Sequence, residues 1–193
     1  MQKQLNHYEF KNIQKNNHND IIFVLDNLEH EENIGSAFRL ADAFNICKII
    51  IVSEKSIDVK KLQKTARSCE KYIPYSIHNN AVDALREIEE LKYVPVNIEI
   101  TSTSKPLRDV DFADFEKIAL IVGNEKHGVS DEFLKYVPLS CHIEMYGNNS
   151  SMNVVTSLAI ATYKISEDLL LKKTLKNEDI KWEINIKRKQ LHM

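Results

Sequence analysis

The sequence predicts an α/β domain with a mainly parallel sheet and helices on both faces. Three observations carry this expectation. Short, nearly continuous runs of β-branched and aliphatic residues lack polar alternation, so both faces of such strands must be covered. Helical patterns separate the runs, as crossovers between parallel strands require. The 193 residues show no internal repeat and no linker rich in Pro, Gly or Ser, and they suffice for one packed domain.

The elements follow in order. IIFVL (21–25) reads as a buried strand, IGSAFRLADAFN (34–45) as a helix with small and apolar residues at helical spacing, and KIIIV (48–52) as the second strand. A lysine-rich loop or short helix comes next, then a short strand candidate, YIPYSI (72–77). NAVDALREIEEL (80–91) is amphipathic, with Val82, Leu85 and Ile88 expected on its inward side. VPVNIEI (94–100) and KIALIV (117–122) are further strands, a short helix covers 130–136, and CHIEM (141–145) is another strand candidate. The longest helical pattern runs from Met152 to Leu171. Its first three turns are apolar or small nearly all round, so a subunit interface is expected to cover part of them. The chain divides into a polar, basic N-terminal arm (1–20), the domain proper (21–171) and a basic C-terminal tail (172–193).

With 43% hydrophobic and 28% charged residues, the composition is that of a globular chain rather than a disordered one. No apolar run approaches the roughly 18–20 residues that span a bilayer. The polar N-terminus lacks the apolar core of an export signal, so a cytoplasmic location without membrane attachment is expected. Cys47, Cys69 and Cys141 lie far apart, with no His at zinc spacing, so neither a disulfide framework nor a metal site is expected. A net charge of −2 argues alone against a nucleic-acid partner, but its distribution does not. Residues 172–193 carry seven basic and three acidic side chains, a net of +4, and residues 1–19 a net of +2. The stretch 20–171 carries 16 basic and 24 acidic side chains, a net of −8. Basic ends on an acidic body either contact phosphates or are solvated tails.

Glycine is scarce. Average usage of about 7% would give roughly 13, whereas the chain has four: Gly35, Gly123, Gly128 and Gly147. Each falls at or beyond the C-terminal end of a predicted strand, where open α/β sheets bind ligands. NLEHEENIGSAFRLAD (27–42) places Asn33, Gly35 and Arg39 at a loop–helix junction. A guanidinium among small apolar residues calls for a phosphate or carboxylate partner, the latter in a surface salt bridge. IALIVGNEKHGVSDE (118–132) passes from a buried strand into Gly-Asn-Glu-x-x-Gly, with Ser130 at a helix N-cap position. Gly123 lets a ligand lie against the strand end, and Glu125 is either an acceptor there or an exposed loop carboxylate. HIEMYGNNSSMNVVTSLAIATY (142–163) enters a polar loop and then the apolar helix, and a surface role does not explain Asn153 just inside that helix.

Together these segments resemble the SpoU/TrmH branch of the SPOUT methyltransferases. The matching portions are N-x-G-x-x-x-R-x-A (Asn33 to Ala41), G-N-E-x-x-G (Gly123 to Gly128) and S-M-N-V (Ser151 to Val154) ahead of an apolar helix. They occur in the family's order and spacing across about residues 21–165. The resemblance implies a C-terminal trefoil knot, a homodimer with sites at its interface, S-adenosylmethionine as methyl donor and structured RNA as acceptor. Small size and the basic tail favour tRNA over rRNA. By motif position, Thr101, Gly123, Ile143 and Met152 resemble residues of the cofactor pocket. Asn33, Arg39, Glu125, Ser151 and Asn153 resemble the catalytic and substrate-positioning set. Two positions depart from the pattern: Glu144 stands where proline is usual, and Met152 where leucine is commoner, the latter conserving volume. The N-terminal RNA-binding domain of many relatives is lacking, so the domain itself and the basic ends are expected to hold RNA.

The implied reaction is ribose 2′-O-methylation. A sulfonium methyl is electrophilic without a metal, so the protein must chiefly align the acceptor, a contribution of roughly 7–11 kcal/mol at best. Arg39 would hold the reacting ribose and an adjacent phosphate, and Asn33 would orient Arg39 or the ribose. Two other readings share the fold: a knotted RNA-binding protein without the chemistry, and an enzyme that methylates a base nitrogen. The GxGxxG, P-loop and GxSxG motifs are absent.

Overall fold

The computed structural model describes residues 19–57 and 59–190. The N-terminal arm expected over 1–20 therefore lies almost wholly outside the described residues. Seven strands form one all-parallel sheet in the spatial order β3-β2-β1-β6-β4-β7-β5. They are β1 (Asn19–Asp26), β2 (Ile46–Val52), β3 (Tyr75–His78), β4 (Val94–Ile98), β5 (Lys105–Pro106), β6 (Ile118–Val122) and β7 (Ser140–His142). The helices are α1 (Glu31–Phe44), α2 (Val59–Ala66), α3 (Ala81–Glu90), α4 (Asp131–Tyr136) and α5 (Val154–Gln190). From β1 the chain lays β2 and β3 to one side, then places β6 and β4 on the other. The direction of winding thus reverses at β1, and the crevice beyond the C-terminal ends of β1 and β6 is where such sheets bind ligands.

Both faces of the central strands are buried, which is why they read as unbroken apolar runs. Phe23 and Leu25 of β1, Ile49 and Ile51 of β2, and Leu120 of β6 pack with Ala37 and Phe38 of α1 and with Leu158, Ala161 and Ile165 of α5. On the other face Ile22, Val24, Ile50 and Ile121 pack with Ala84 and Ile88 of α3 and Phe133 of α4. In register, Phe23 lies between Ile49 and Leu120.

Several elements differ from the sequence reading. Helix α1 begins at Glu31, with Glu31 and Glu32 in its first turn, where carboxylates favour the helix dipole. Asn33, Gly35 and Arg39 are therefore helical rather than at a loop–helix junction. Gly35 serves helix packing: a Cβ there would sit 2.3 Å from Thr65 Oγ1 and 2.6 Å from the Thr65 carbonyl carbon on α2. Only the end of YIPYSI is a strand. Tyr72 and Ile73 close a 3-10 turn over Cys69–Lys71, each donating its N–H to the Cys69 carbonyl, and β3 begins after Pro74, which has no N–H to give a ladder. In α3 the buried residues are Ala81, Ala84 and Ile88, while Val82 is exposed. Asn80 caps the helix by accepting the Asp83 N–H at 2.9 Å. The expected strand 141–145 is confined to Ser140–His142, and Ile143–Met145 bend away to line a cavity. Helix α5 runs on to Gln190 because no Gly or Pro follows Gly147, so the charge boundary at 171 is not an element boundary.

Glu87 of α3 ties that helix to two strands. Its carboxylate accepts Lys48 Nζ at 2.6 Å from β2, and Ser76 Oγ at 2.7 Å and His78 Nε2 from β3. Burial pushes its pKa up, but these three donors outweigh burial and hold it at about 2. A depressed carboxyl stabilises the fold fully above its ordinary value of 4.5 and loses that contribution as pH falls toward 2. Glu87→Gln is expected to lower the melting temperature at pH 7 by roughly 2–6 °C, as 1–2 kcal/mol does in a domain of this size. The gap to the wild type should close as the pH of the melts is lowered below 4.5.

Candidate active site

A cavity of about 580 Å³ opens beyond the C-terminal ends of β4, β6 and β7. Its walls combine apolar side chains, Ile98, Ile100, Ile143 and Met152 among them, with the polar groups of Asn33, Glu125 and Asn153. A neighbouring cavity of about 440 Å³ shares Ile100, His142, Ile143, Met145 and Ser150 with it.

Three side chains distant in sequence form one hydrogen-bonded row in the wall. Glu125 accepts the Asn33 amide at 2.7 Å and the backbone N–H groups of Glu29 at 3.0 Å and His30 at 3.4 Å. Asn33 Oδ1 in turn accepts the Asn153 amide at 3.1 Å. Asn153 Oδ1 caps α5 by accepting the N–H groups of Val155 and Thr156 at 2.9 and 3.2 Å. Loop 27–30, loop 123–130 and the start of α5 are thereby held together. Burial pushes the Glu125 carboxyl up, but the Glu29 N–H, the Asn33 amide and the His30 N–H outweigh it and hold its pKa below the ordinary value. Glu125 is a bound acceptor rather than a stray loop carboxylate.

Gly123 has a role not expected from sequence: what approaches it is the chain's own backbone. A Cβ at Gly123 would lie 2.1 Å from both Gly128 C and Val129 N. Asn124 and Gly128 exchange N–H···O bonds of 2.9 Å, closing the loop on itself, with Gly128 at φ +71°. Glu99, just beyond β4, clasps that loop by accepting the Val129 N–H at 3.0 Å. The buried Asp26 at the end of β1 accepts the Ser130 N–H at 2.7 Å, and burial raises its pKa. Ser130 therefore stands at the N-cap of α4 without a side-chain cap bond. Asn124 donates its amide to the Asn27 carbonyl at 2.7 Å.

Of the nine residues singled out from sequence, seven line the larger cavity: Asn33, Gly123, Glu125, Ile143, Ser151, Met152 and Asn153. Thr101 stands one residue from the wall. Its N–H donates to Ser104 Oγ at 2.9 Å, its carbonyl accepts that hydroxyl at 3.0 Å, and the same hydroxyl lies 3.0 Å from Nδ1 of His142, which lines the cavity. Arg39 is exposed, lies outside both cavities of its own chain, and has no hydrogen bond or ion pair with a described residue. Glu144, at the position where proline is usual in the resembled family, pairs through its carboxylate with Arg108 at 2.8 Å. Glu99, Ser104 and His142 were not singled out from sequence; they follow strands as ordinary polar residues, and only the crossing of loops reveals them. Among the described residues no cluster of His, Cys, Asp or Glu is arranged to hold a metal ion.

The family described as the SpoU rRNA methylase family matches residues 20–163 of this chain. A similar protein is the 23S rRNA (guanosine-2′-O-)-methyltransferase RlmB of Pasteurella multocida, 24% identical over 164 residues that cover 84% of this chain and 66% of that protein. Another is the tRNA (guanosine(18)-2′-O)-methyltransferase of Aquifex aeolicus, 26% identical over 145 residues, 75% of this chain and 68% of that protein. The chain thus spans about two thirds of the length of these relatives. Among solved structures, the A. aeolicus TrmH/SpoU tRNA modifying enzyme superposes with a TM-score of 0.68 at 25% identity, covering 80% of this chain and 77% of the other. The AdoMet-bound rRNA methyltransferase from Sinorhizobium meliloti shares the fold, with a TM-score of 0.70 at 21% identity over 79% of this chain and 58% of that one.

Proposed function

The chain belongs to the SpoU rRNA methylase family, and on that footing we propose that it methylates a ribose 2′-hydroxyl of RNA with S-adenosylmethionine as donor. The observation that carries this reading is the row Glu125–Asn33–Asn153, which joins the three motif segments in the wall of one cavity. The cavity fits the donor's chemistry. Ile98, Ile100, Ile143 and Met152 offer apolar surface to an adenine ring, and the backbone at Gly123 and near Thr101 offers groups for its polar edge. S-adenosylmethionine supplies an electrophilic methyl, so this chain's residues have to position the acceptor and handle its proton. Asn33 and Asn153, locked by Glu125 and by the α5 cap, present fixed amides, and Ser151 lies beside them to hold the donor's amino-acid end.

In this reading Arg39 acts from a second copy of the chain. Its exposure, its lack of an ion pair among the described residues and its absence from the cavity lining of its own chain support a site completed across a dimer. Ile160, Tyr163 and Leu170, exposed at helical spacing on α5, supply an apolar stripe for such an interface. There the guanidinium anchors a phosphate and stabilises the developing alkoxide, a role suited to a group that stays charged. The family's trefoil knot belongs to the same reading, supported by the tight passage of 123–129 beneath Glu99. The basic tail favours tRNA over rRNA as acceptor; the relatives include enzymes named for each. The protein would work in the cytoplasm, and among the described residues no helix is long and apolar enough to cross a membrane.

Titration calorimetry with S-adenosylhomocysteine tests the donor site. One binding site per chain is expected, with affinity reduced at least about tenfold by Asn153→Ala, the cost of one lost hydrogen-bonding group in a dry site. No heat of binding for the wild type at millimolar ligand refutes the reading.

A further inference from the structure

We propose that α2 and the 3-10 turn after it form the track for the RNA backbone, with Lys64, Arg67 and Lys71 on phosphates and Tyr72 stacking on a base. The proposal rests on the reading of the chain as an RNA methylase and adds to it where the RNA is held. Charge carries the argument. Residues 59–72 hold five basic side chains and one acidic, whereas the rest of 20–171 holds 11 basic and 23 acidic. A concentrated positive face on an acidic body serves an anionic partner rather than solubility.

The structure sharpens that count. Lys64, Arg67 and Lys71 are exposed and pair with no described carboxylate, unlike Lys61, which lies 3.4 Å from Glu31. Glu70 is the one acid of the segment, and with its full charge counted residues 59–72 still carry a net of +4. Arg67 and Ser68 take left-handed backbone angles, φ 50° and 69°, and that reversal carries Arg67 and Lys71 on the same turn. Tyr72 ends the turn with 75% of its surface in water, a large aromatic that the core does not use. A basic track with an exposed ring is how proteins hold single-stranded nucleic acid.

Position supports the same partner. Helix α2 packs on α1 through Thr65 against Gly35, Arg39 stands one helical turn beyond Gly35 on the same side of α1, and α1 also meets the 3-10 turn. RNA lying along Lys64, Arg67 and Lys71 would therefore pass Arg39, the residue assigned to the reacting nucleotide.

The test compares the wild type with the triple variant Lys64→Ala/Arg67→Ala/Lys71→Ala and with Tyr72→Ala and Tyr72→Trp. Affinity for bulk tRNA is measured by filter binding across a salt series. The triple variant should bind about 10–100-fold more weakly at low salt, with the slope of log affinity against log salt reduced by about 2–3, since each phosphate contact contributes about 0.7–0.9. Tyr72→Ala should weaken binding without changing the slope, and Tyr72→Trp should restore it. Melting temperature and S-adenosylhomocysteine affinity should stay at wild-type values in all three, because none of these side chains touches the cavity. If the wild type binds S-adenosylhomocysteine and RNA while the triple variant keeps its affinity and slope, the track is wrong and the methylase reading stands. If the wild type binds neither ligand, both fall together.

Discussion

Arg39→Ala is expected to lower methyl transfer at least about 10²–10³-fold, the scale on which losing one group that stabilises developing charge is felt. Its affinity for S-adenosylhomocysteine should remain within about twofold of the wild type, because Arg39 lies outside the cavity of its own chain. Stability should not change either, since the exposed guanidinium pairs with no described residue. Arg39→Lys keeps the charge but loses the planar fork, so an intermediate loss is expected. The dimeric arrangement has its own signature. Arg39→Ala and Asn153→Ala proteins, assayed at a donor concentration too low for Asn153→Ala alone to turn over, should regain activity when refolded together. Random pairing makes half the dimers mixed, each with one intact site, so about a quarter of wild-type activity should return. A site built wholly from one chain would give no recovery.

Gly123→Ala should be the most damaging single methyl group added anywhere in the loops. The new Cβ would meet Gly128 C and Val129 N at 2.1 Å, and both are backbone atoms that no rotamer change can move. The loop must open, breaking the paired 2.9 Å bonds of Asn124 and Gly128 and the 3.0 Å grip of Glu99 on Val129. Overpacking of this kind costs about 1–3 kcal/mol or more, before the lost hydrogen bonds are counted. The expected result is a melting temperature lower by roughly 5–15 °C and no measurable binding of S-adenosylhomocysteine. Gly147→Ala is the control: nothing lies within 4 Å of its Cβ position and its φ is not in the left-handed range, so its melting temperature should match the wild type. Equal losses in the two variants would show that the 123–129 crossing is not the constraint described.

Much of the fold was legible because burial on two faces leaves a mark that one residue after another repeats. Ile21 through Leu25 had to be apolar on both sides of β1, and that alone separates a parallel, covered sheet from an exposed one. The site was legible in part for a different reason: Asn33, Glu125 and Asn153 are polar residues beside apolar runs, in motif order, and the structure joins them by hydrogen bonds. What escaped was whatever depends on one loop crossing another. Glu99 is an ordinary residue after a strand until it is seen holding Val129, and His142 gains significance only beside Ser104. Gly35 has the local context of a ligand loop, yet its contact is Thr65, thirty positions away. Glu144 departs from the family pattern, and the Arg108 guanidinium it pairs with lies 36 residues upstream.

The most direct measurement is where the methyl group goes. Purified protein is incubated with methyl-labelled S-adenosylmethionine and separate tRNA and rRNA fractions, the RNA is digested to nucleosides, and the products are resolved by mass spectrometry. A labelled 2′-O-methylnucleoside, present with the wild type and absent with Arg39→Ala, is the predicted result. Label on a base, or no label in any RNA fraction from a protein that binds S-adenosylhomocysteine, contradicts it.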